Sequence, residues 1–283
     1  MDAAATRDRS IESGQPLRIG MQLHTLRDLD ATLPETIRRV GEAGFDGVEF
    51  AGTLADVDPA AVADALAEAG IEPIAAHVGM ADLETELDAI VRRYDAIDCR
   101  RLVVPHLGPD WFVTERTVRD AADRLGRLGG RLADQDVQFY YHNAVYDLKP
   151  LFADRGVGAV LGLAPVASRI GSYATAVLDA VASPSLAEFP DRTGLGRLSQ
   201  RTLGRSVRFE VDTGAVAAAG FPQGAIIDFL GDRVDMVHLT ADVDRTAVLE
   251  AARRNGVEWI VFEDDHPEDP ETTLRQAANG LLG

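Results

Sequence analysis

The chain alternates short β-rich runs with amphipathic helical stretches, and this alternation is what most limits its possible folds. Strands are predicted at Leu17–Leu23, Gly47–Phe50, Glu72–His77, Arg101–Pro105, Val137–His142, Val207–Val211, Val234–Leu239 and Glu258–Phe262. Leu33, Ile37 and Val40 recur at helical spacing within a helix predicted over Thr32–Ala43. Asp58-Pro59 is a helix start, with Asp as cap and Pro at the first position, and Gly70 is its stop. Further helices are predicted over Ala81–Ile97 and Thr114–Ala133. Repeated βα units make a parallel sheet, and eight of them point to a closed α/β structure, the (β/α)8 barrel. A chain of 283 residues suits one such domain, expected over residues 16–283. The first 15 residues are polar, lack the apolar stretch of a secretory signal, and are read as a flexible tail.

One connection breaks the rhythm. After the fifth strand, residues 149–204 form an insertion rich in Gly, Ala and Ser, with helices expected near Tyr173–Val181 and Leu195–Leu203. Loops of that length are usually functional or disordered. Emerging on the active face of a barrel, this one is read as a lid or a homo-oligomer contact, with a tolerated mobile insertion as the alternative.

The strand ends carry the chemistry. Asp212, His238 and Glu263 close or follow three successive apolar runs, and His24, Glu49, His77, His106 and His142 do so upstream. Five of the six histidines share this placement; His266 does not. The C-terminal ends of barrel strands lie on one face, which holds the active site, so residues far apart in sequence can meet there. Asp, His and Glu together make an oxygen and nitrogen donor set suited to a divalent metal. Each residue also has an ordinary reading. Asp212 fits a helix cap, His238 a hydrogen-bonded core histidine, and Glu263 the start of a solvated acidic run, Glu263-Asp264-Asp265.

Charge narrows the function. There are 46 acidic residues against 28 basic ones, a net charge of −18, and Lys149 is the only lysine. Such a surface repels itself in dilute buffer, and molar salt shortens the screening length to about 3 Å. The composition resembles that of proteins from salt-accumulating halophiles. A GC-rich genome would explain the missing lysine but not the acid excess. Nucleic-acid binding needs a basic footprint that is missing here. The lone Cys99 rules out an internal disulfide and a cysteine-based metal site, which fits the cytoplasm. No apolar run approaches the roughly 20 residues of a membrane span.

Several stretches resemble the sugar phosphate isomerase/epimerase family, the xylose isomerase-like TIM barrels, in an acidic, haloarchaeal-type form. They are Gly20-Met21-Gln22-Leu23-His24-Thr25-Leu26-Arg27-Asp28 on the first strand, Gly44-Phe45-Asp46-Gly47-Val48-Glu49-Phe50-Ala51-Gly52 on the second, and Ala75-Ala76-His77-Val78-Gly79 on the third. Tyr141-His142-Asn143, Phe209-Glu210-Val211-Asp212 and Val237-His238-Leu239 resemble the fifth, sixth and seventh. The resemblance implies one divalent metal, with Mn, Mg, Co and Zn all admissible, held by Asp212, His238 and Glu263. Asp147 is the fourth candidate, in the place of a family glutamate. The chain departs from the family pattern at Ala144, which replaces a second histidine, and at Thr240, which replaces a lysine.

The chemistry expected from these residues is isomerisation or epimerisation of a sugar, sugar phosphate or keto-polyol through an enediolate. Carboxylates remove and return the proton beside the carbonyl, and Glu263 and Asp147 are the candidates. His24, Glu49, His77, His106 and His142 are expected to line the pocket and bind hydroxyls, all converging on one cavity with the metal ligands. A keto-polyol lyase or dehydratase, and a barrel that binds a small polyol without turning it over, stay open as alternatives.

Overall fold

Eight parallel strands close into a barrel in sequence order, with β8 hydrogen-bonded back to β1, in the computed structural model of the chain. Residues 17–52, 54, 57–152, 190–241 and 243–282 are described. The strands are β1 (Arg18–Gln22), β2 (Gly47–Ala51), β3 (Glu72–His77), β4 (Arg101–Val104), β5 (Gln138–His142), β6 (Arg208–Asp212), β7 (Val234–Leu239) and β8 (Trp259–Phe262). No helix among the described residues is long and apolar enough to cross a membrane.

The helices begin and end where local chemistry says they should. In α1 (Leu33–Glu42), Glu35 accepts from both the backbone and the hydroxyl of Thr32. In α2 (Pro59–Ala69), Asp58 accepts from the Ala60 N–H at 3.0 Å, and Gly70 ends the helix at φ +67°, a left-handed conformation that glycine adopts without strain. α3 covers Met80–Asp95, and α4 (Glu115–Ala133) is capped by Thr114. The helix expected near Leu195 is α5 (Gly194–Arg201), whose Arg197 and Arg201 both reach Glu115 on α4. Its buried Leu195 and Leu198 dock this end of the insertion on the barrel. The tail, the helix expected near Tyr173–Val181 and the rest of residues 153–189 lie outside the described residues.

The barrel is filled from below, which sets the height of the site. Ile74, Val103, Tyr140, Met236, Trp259 and Val261 form a buried apolar plug separate from the larger core under the helices. Gly20 and Gly47 make room for it. A Cβ on Gly20 would sit 2.1 Å from Ile74, and one on Gly47 would sit 2.7 Å from Ile74 and 2.9 Å from Trp259. Beneath the plug, Arg18 stacks on Trp259 at 3.9 Å and Arg101 pairs with Glu258 at 2.6 Å. The plug and these pairs therefore close the barrel axis from below.

Candidate metal centre

A polar layer lies directly on the apolar plug. Side chains alternate along a strand, so Glu210 and Asp212 share the inner face of β6 while Phe209 and Val211 join the shell core. Strand pairing sets Gln22 beside Glu49, His142 beside Glu210, and Asp212 beside His238. Asn143 fastens β5 to β6, accepting from the Asp212 N–H at 3.0 Å and donating to the Asp212 carbonyl at 3.3 Å.

His238 is the centre of the layer and is completely buried. Its Nδ1 lies 2.7 Å from Glu263 Oε2, and its Nε2 lies 2.6 Å from Glu49 Oε2. Glu210 Oε1 is 3.2 Å from the same Nε2, but no hydrogen bond reaches that oxygen, so the contact is one of charge. His77 Nε2 sits 2.9 Å from Glu210 and 3.4 Å from Glu49. Gln22 adds an amide donor to Glu49 Oε2 at 2.6 Å.

These neighbours set the protonation states. Burial disfavours a charged His77, yet the charge of Glu49 and the hydrogen bonds to Glu210 and Glu49 outweigh it and raise the group to about 10. Burial is likewise overcome at His238, where Glu210, Glu263 and Glu49 hold it well above its ordinary value. Glu263 would be raised by burial, but His238 pulls it down to about 2. Glu49 is also held low, because the charges of His77 and His238 overcome its burial.

Two groupings could each hold a metal ion, with ligand atoms all within 4.8 Å of one another: Glu49, His77, Glu210 and His238, and His142, His238 and Glu263. The donor sets fit a divalent cation. They combine imidazole nitrogen with carboxylate oxygen, and Glu49 Oε1, Glu210 Oε1 and His142 Nε2 are buried without a hydrogen-bond partner.

The other expected site residues fall into three places. Asp212 lies at the rim and caps the helix that follows it. Its Oδ1 accepts from Gly214 at 2.8 Å and Ala215 at 3.1 Å, and its carboxylate belongs to neither metal-capable grouping. Burial raises its carboxyl, with the charges of His142 and His238 opposing and that of Glu263 reinforcing. His24 and His106 are exposed, because β1 ends at Gln22 and β4 at Val104, each two residues earlier. No hydrogen bond or ion pair joins either imidazole to the cluster among the described residues. Asp147 is fully buried elsewhere. Its Oδ2 accepts from the Tyr141 hydroxyl at 2.6 Å and the Ala144 N–H at 2.9 Å. Tyr141 faces the shell core, so it holds Asp147 on that side of β5, apart from both metal-capable groupings. Burial pushes Asp147 up to about 8 against these two hydrogen bonds. Glu210 was not assigned a role from sequence; the signal was its position two residues before Asp212, on the same face.

No protein-family model matches the sequence, and no curated protein matches it either. Solved structures do share the fold. A sugar phosphate isomerase/epimerase from Parabacteroides distasonis superposes with a TM-score of 0.71 at 13% identity, covering 94% of this chain and 98% of its own. An AP endonuclease of family 2 from Brucella melitensis gives 0.62 at 14% identity, covering 93% and 99%. The 3-keto-D-glucoside 4-epimerase of E. coli gives 0.58 at 17% identity, covering 94% and 99%. The chain therefore shares the (β/α)8 barrel fold of these structures.

Proposed function

We propose that the protein is a divalent-metal-dependent isomerase or epimerase of a sugar, sugar phosphate or keto-polyol. The observation that carries this is His238, buried at the barrel mouth with Glu263 on one ring nitrogen and Glu49 on the other. A metal-binding histidine needs one nitrogen free to ligate and a carboxylate to orient the other, and here Glu49 can orient Nε2 while Nδ1 faces Glu263 and the mouth. Asp212, His238 and Glu263 would hold the ion, which would supply positive charge to the substrate oxygens as an enediolate forms. Glu263 is the base for the proton beside the carbonyl. His238 holds its carboxyl near 2, which keeps it ionised at neutral pH but weakens it as a base, so the charge the ion would supply to the substrate oxygens has to acidify the C–H. His77 and Glu210 fix the lower wall by their mutual bond and leave the mouth for the sugar.

The position of Asp147 favours a second reading. Held against Tyr141, it does not offer a second carboxylate to the far face of a substrate. A lyase or dehydratase on a keto-polyol needs the same first proton removal without that return step. The nuclease chemistry of the AP endonuclease neighbour fits poorly with a net charge of −18. The test is metal analysis of protein purified in molar KCl, followed by proton exchange in D₂O across ketoses and keto-polyols. Metal-loaded protein should wash substrate C–H into solvent, and His238→Ala should lose most of its metal. Protein that carries metal but exchanges no proton on any substrate would leave only a binding function.

A further inference from the structure

On the metal reading above, three ligands come from β6, β7 and the end of β8, and the contribution of β5 is open. We infer that β5 supplies His142 through Nε2, not Asp147, so that the ion sits among two histidines and two carboxylates.

His142 ends β5, whereas Asp147 lies in the 3-10 turn Val145–Leu148 that follows it. His142 is paired with Glu210 on the inner side, with its ring centroid 4.8 Å from that of His238 and 5.4 Å from that of His77. Tyr141, one residue earlier, points into the shell and holds Asp147 there through its hydroxyl. An aspartate is one methylene shorter than a glutamate. To reach the mouth, Asp147 would have to give up both of its hydrogen bonds.

His142 is prepared in the way a ligand needs. Its Nδ1 lies 2.9 Å from the Pro105 carbonyl. A carbonyl oxygen only accepts, so Nδ1 carries the hydrogen, and in the neutral ring the lone pair is on Nε2. That Nε2 is buried, has no hydrogen-bond partner, and lies within the grouping formed with His238 and Glu263. A backbone carbonyl on one nitrogen and an unused lone pair on the other is how proteins fix the tautomer of a metal-binding histidine. Asn143, the next residue, ties this strand end to Asp212, so the two ligands would be set relative to each other by the backbone.

The exchange has a chemical consequence. Replacing an anionic carboxylate by a neutral imidazole removes one negative charge and adds a softer nitrogen donor. The site should therefore prefer Zn²⁺ or Co²⁺ over Mg²⁺ and Mn²⁺.

The experiment uses the full chain in molar KCl, stripped of metal and titrated calorimetrically with Zn²⁺, Co²⁺ and Mn²⁺, with the visible spectrum of the Co²⁺ form recorded. The wild type should bind one ion, with Zn²⁺ or Co²⁺ favoured over Mn²⁺. His142→Gln should weaken Zn²⁺ by on the order of 100-fold or more and alter the Co²⁺ spectrum, since even outer-shell losses cost 10–100-fold. His142→Glu should recover binding with the preference moved toward Mn²⁺, which a residue that merely packs would not do. Asp147→Asn should change neither affinity nor spectrum. Retention of Zn²⁺ by a folded His142→Gln protein, or loss of it in Asp147→Asn, overturns the assignment while leaving the metal reading intact. Wild-type protein that binds none of the three ions overturns both.

Discussion

Asp147→Asn should change how stability depends on pH. Asp147 has an ordinary carboxyl value of 3.8 when unfolded and about 8 when folded, because it is fully buried with Oδ1 unpartnered. Its folded value is raised, so the native state holds a proton that the unfolded state has released. Stability is full below the unfolded value and is lost as pH rises toward the folded one, at about 1.4 kcal/mol per pH unit. Between about pH 6 and pH 7.5 the loss amounts to roughly 2 kcal/mol, a sizeable share of a typical 5–15 kcal/mol. The asparagine amide carries no titrating proton. One oxygen can still accept from Tyr141 and Ala144, while its NH₂ takes the unpartnered place at an unfolding cost of about 1–3 kcal/mol that does not vary with pH. Urea unfolding of metal-free wild type and variant at both pH values isolates the difference, because every other group titrates equally in the two proteins. The variant should gain about 2 kcal/mol relative to wild type between the two pH values. A difference that is the same at both pH values would show that Asp147 is ionised in its buried position and refute the reasoning.

Three further outcomes follow from the same structure. Glu263→Gln should abolish substrate proton exchange while weakening metal affinity far less, since an amide coordinates weakly but cannot act as a base; equal loss of both would remove its role as base. Glu210→Gln should destabilise the metal-free protein by roughly 1–3 kcal/mol in urea, because it removes one of the two carboxylates that face the buried His77; a loss under about 1 kcal/mol would mean the pair contributes little. The melting temperature should rise as KCl goes from about 0.1 M to molar levels, as screening shortens from roughly 10 Å to 3 Å; a flat or falling curve would count against the halophile reading of the charge.

What was legible in the sequence was what local chemistry decides. Asp58-Pro59 and Gly70 mark a helix by their own backbone preferences, and β3 and β7 run over the residues expected of them. Five histidines near strand ends pointed to a shared face, but nearness to an end does not fix depth. His77 and His142 are the last residues of their strands and turn inward. His24 and His106 come two residues after theirs, past the rim, where the chain has already left the barrel. Glu210 could have been read from the alternation Phe209, Glu210, Val211, Asp212, which puts both acids on one face. Asp147 could not, because its direction is set by the Tyr141 hydroxyl, a contact that depends on which way β5 faces.

The acids of this protein answer to two different counter-charges, and they should separate experimentally. Among the described residues most acidic side chains are exposed, where dissolved ions can approach and screen them. Glu49 and Glu210 are fully buried beneath the mouth, where mobile ions cannot screen them, and they rely on His77 and His238. The remaining carboxylates above them, Glu263 and Asp212, share His238 with that lower pair. KCl therefore cannot stand in for a divalent ion at the mouth, and the ion cannot relieve surface repulsion. The rise in melting temperature from saturating Zn²⁺ should be close to the same at about 0.5 M and about 3 M KCl, because a ligand adds stability according to its own affinity and distant effects add. A Zn²⁺ shift that vanishes at high KCl would place the ion among exposed surface acids and away from His238.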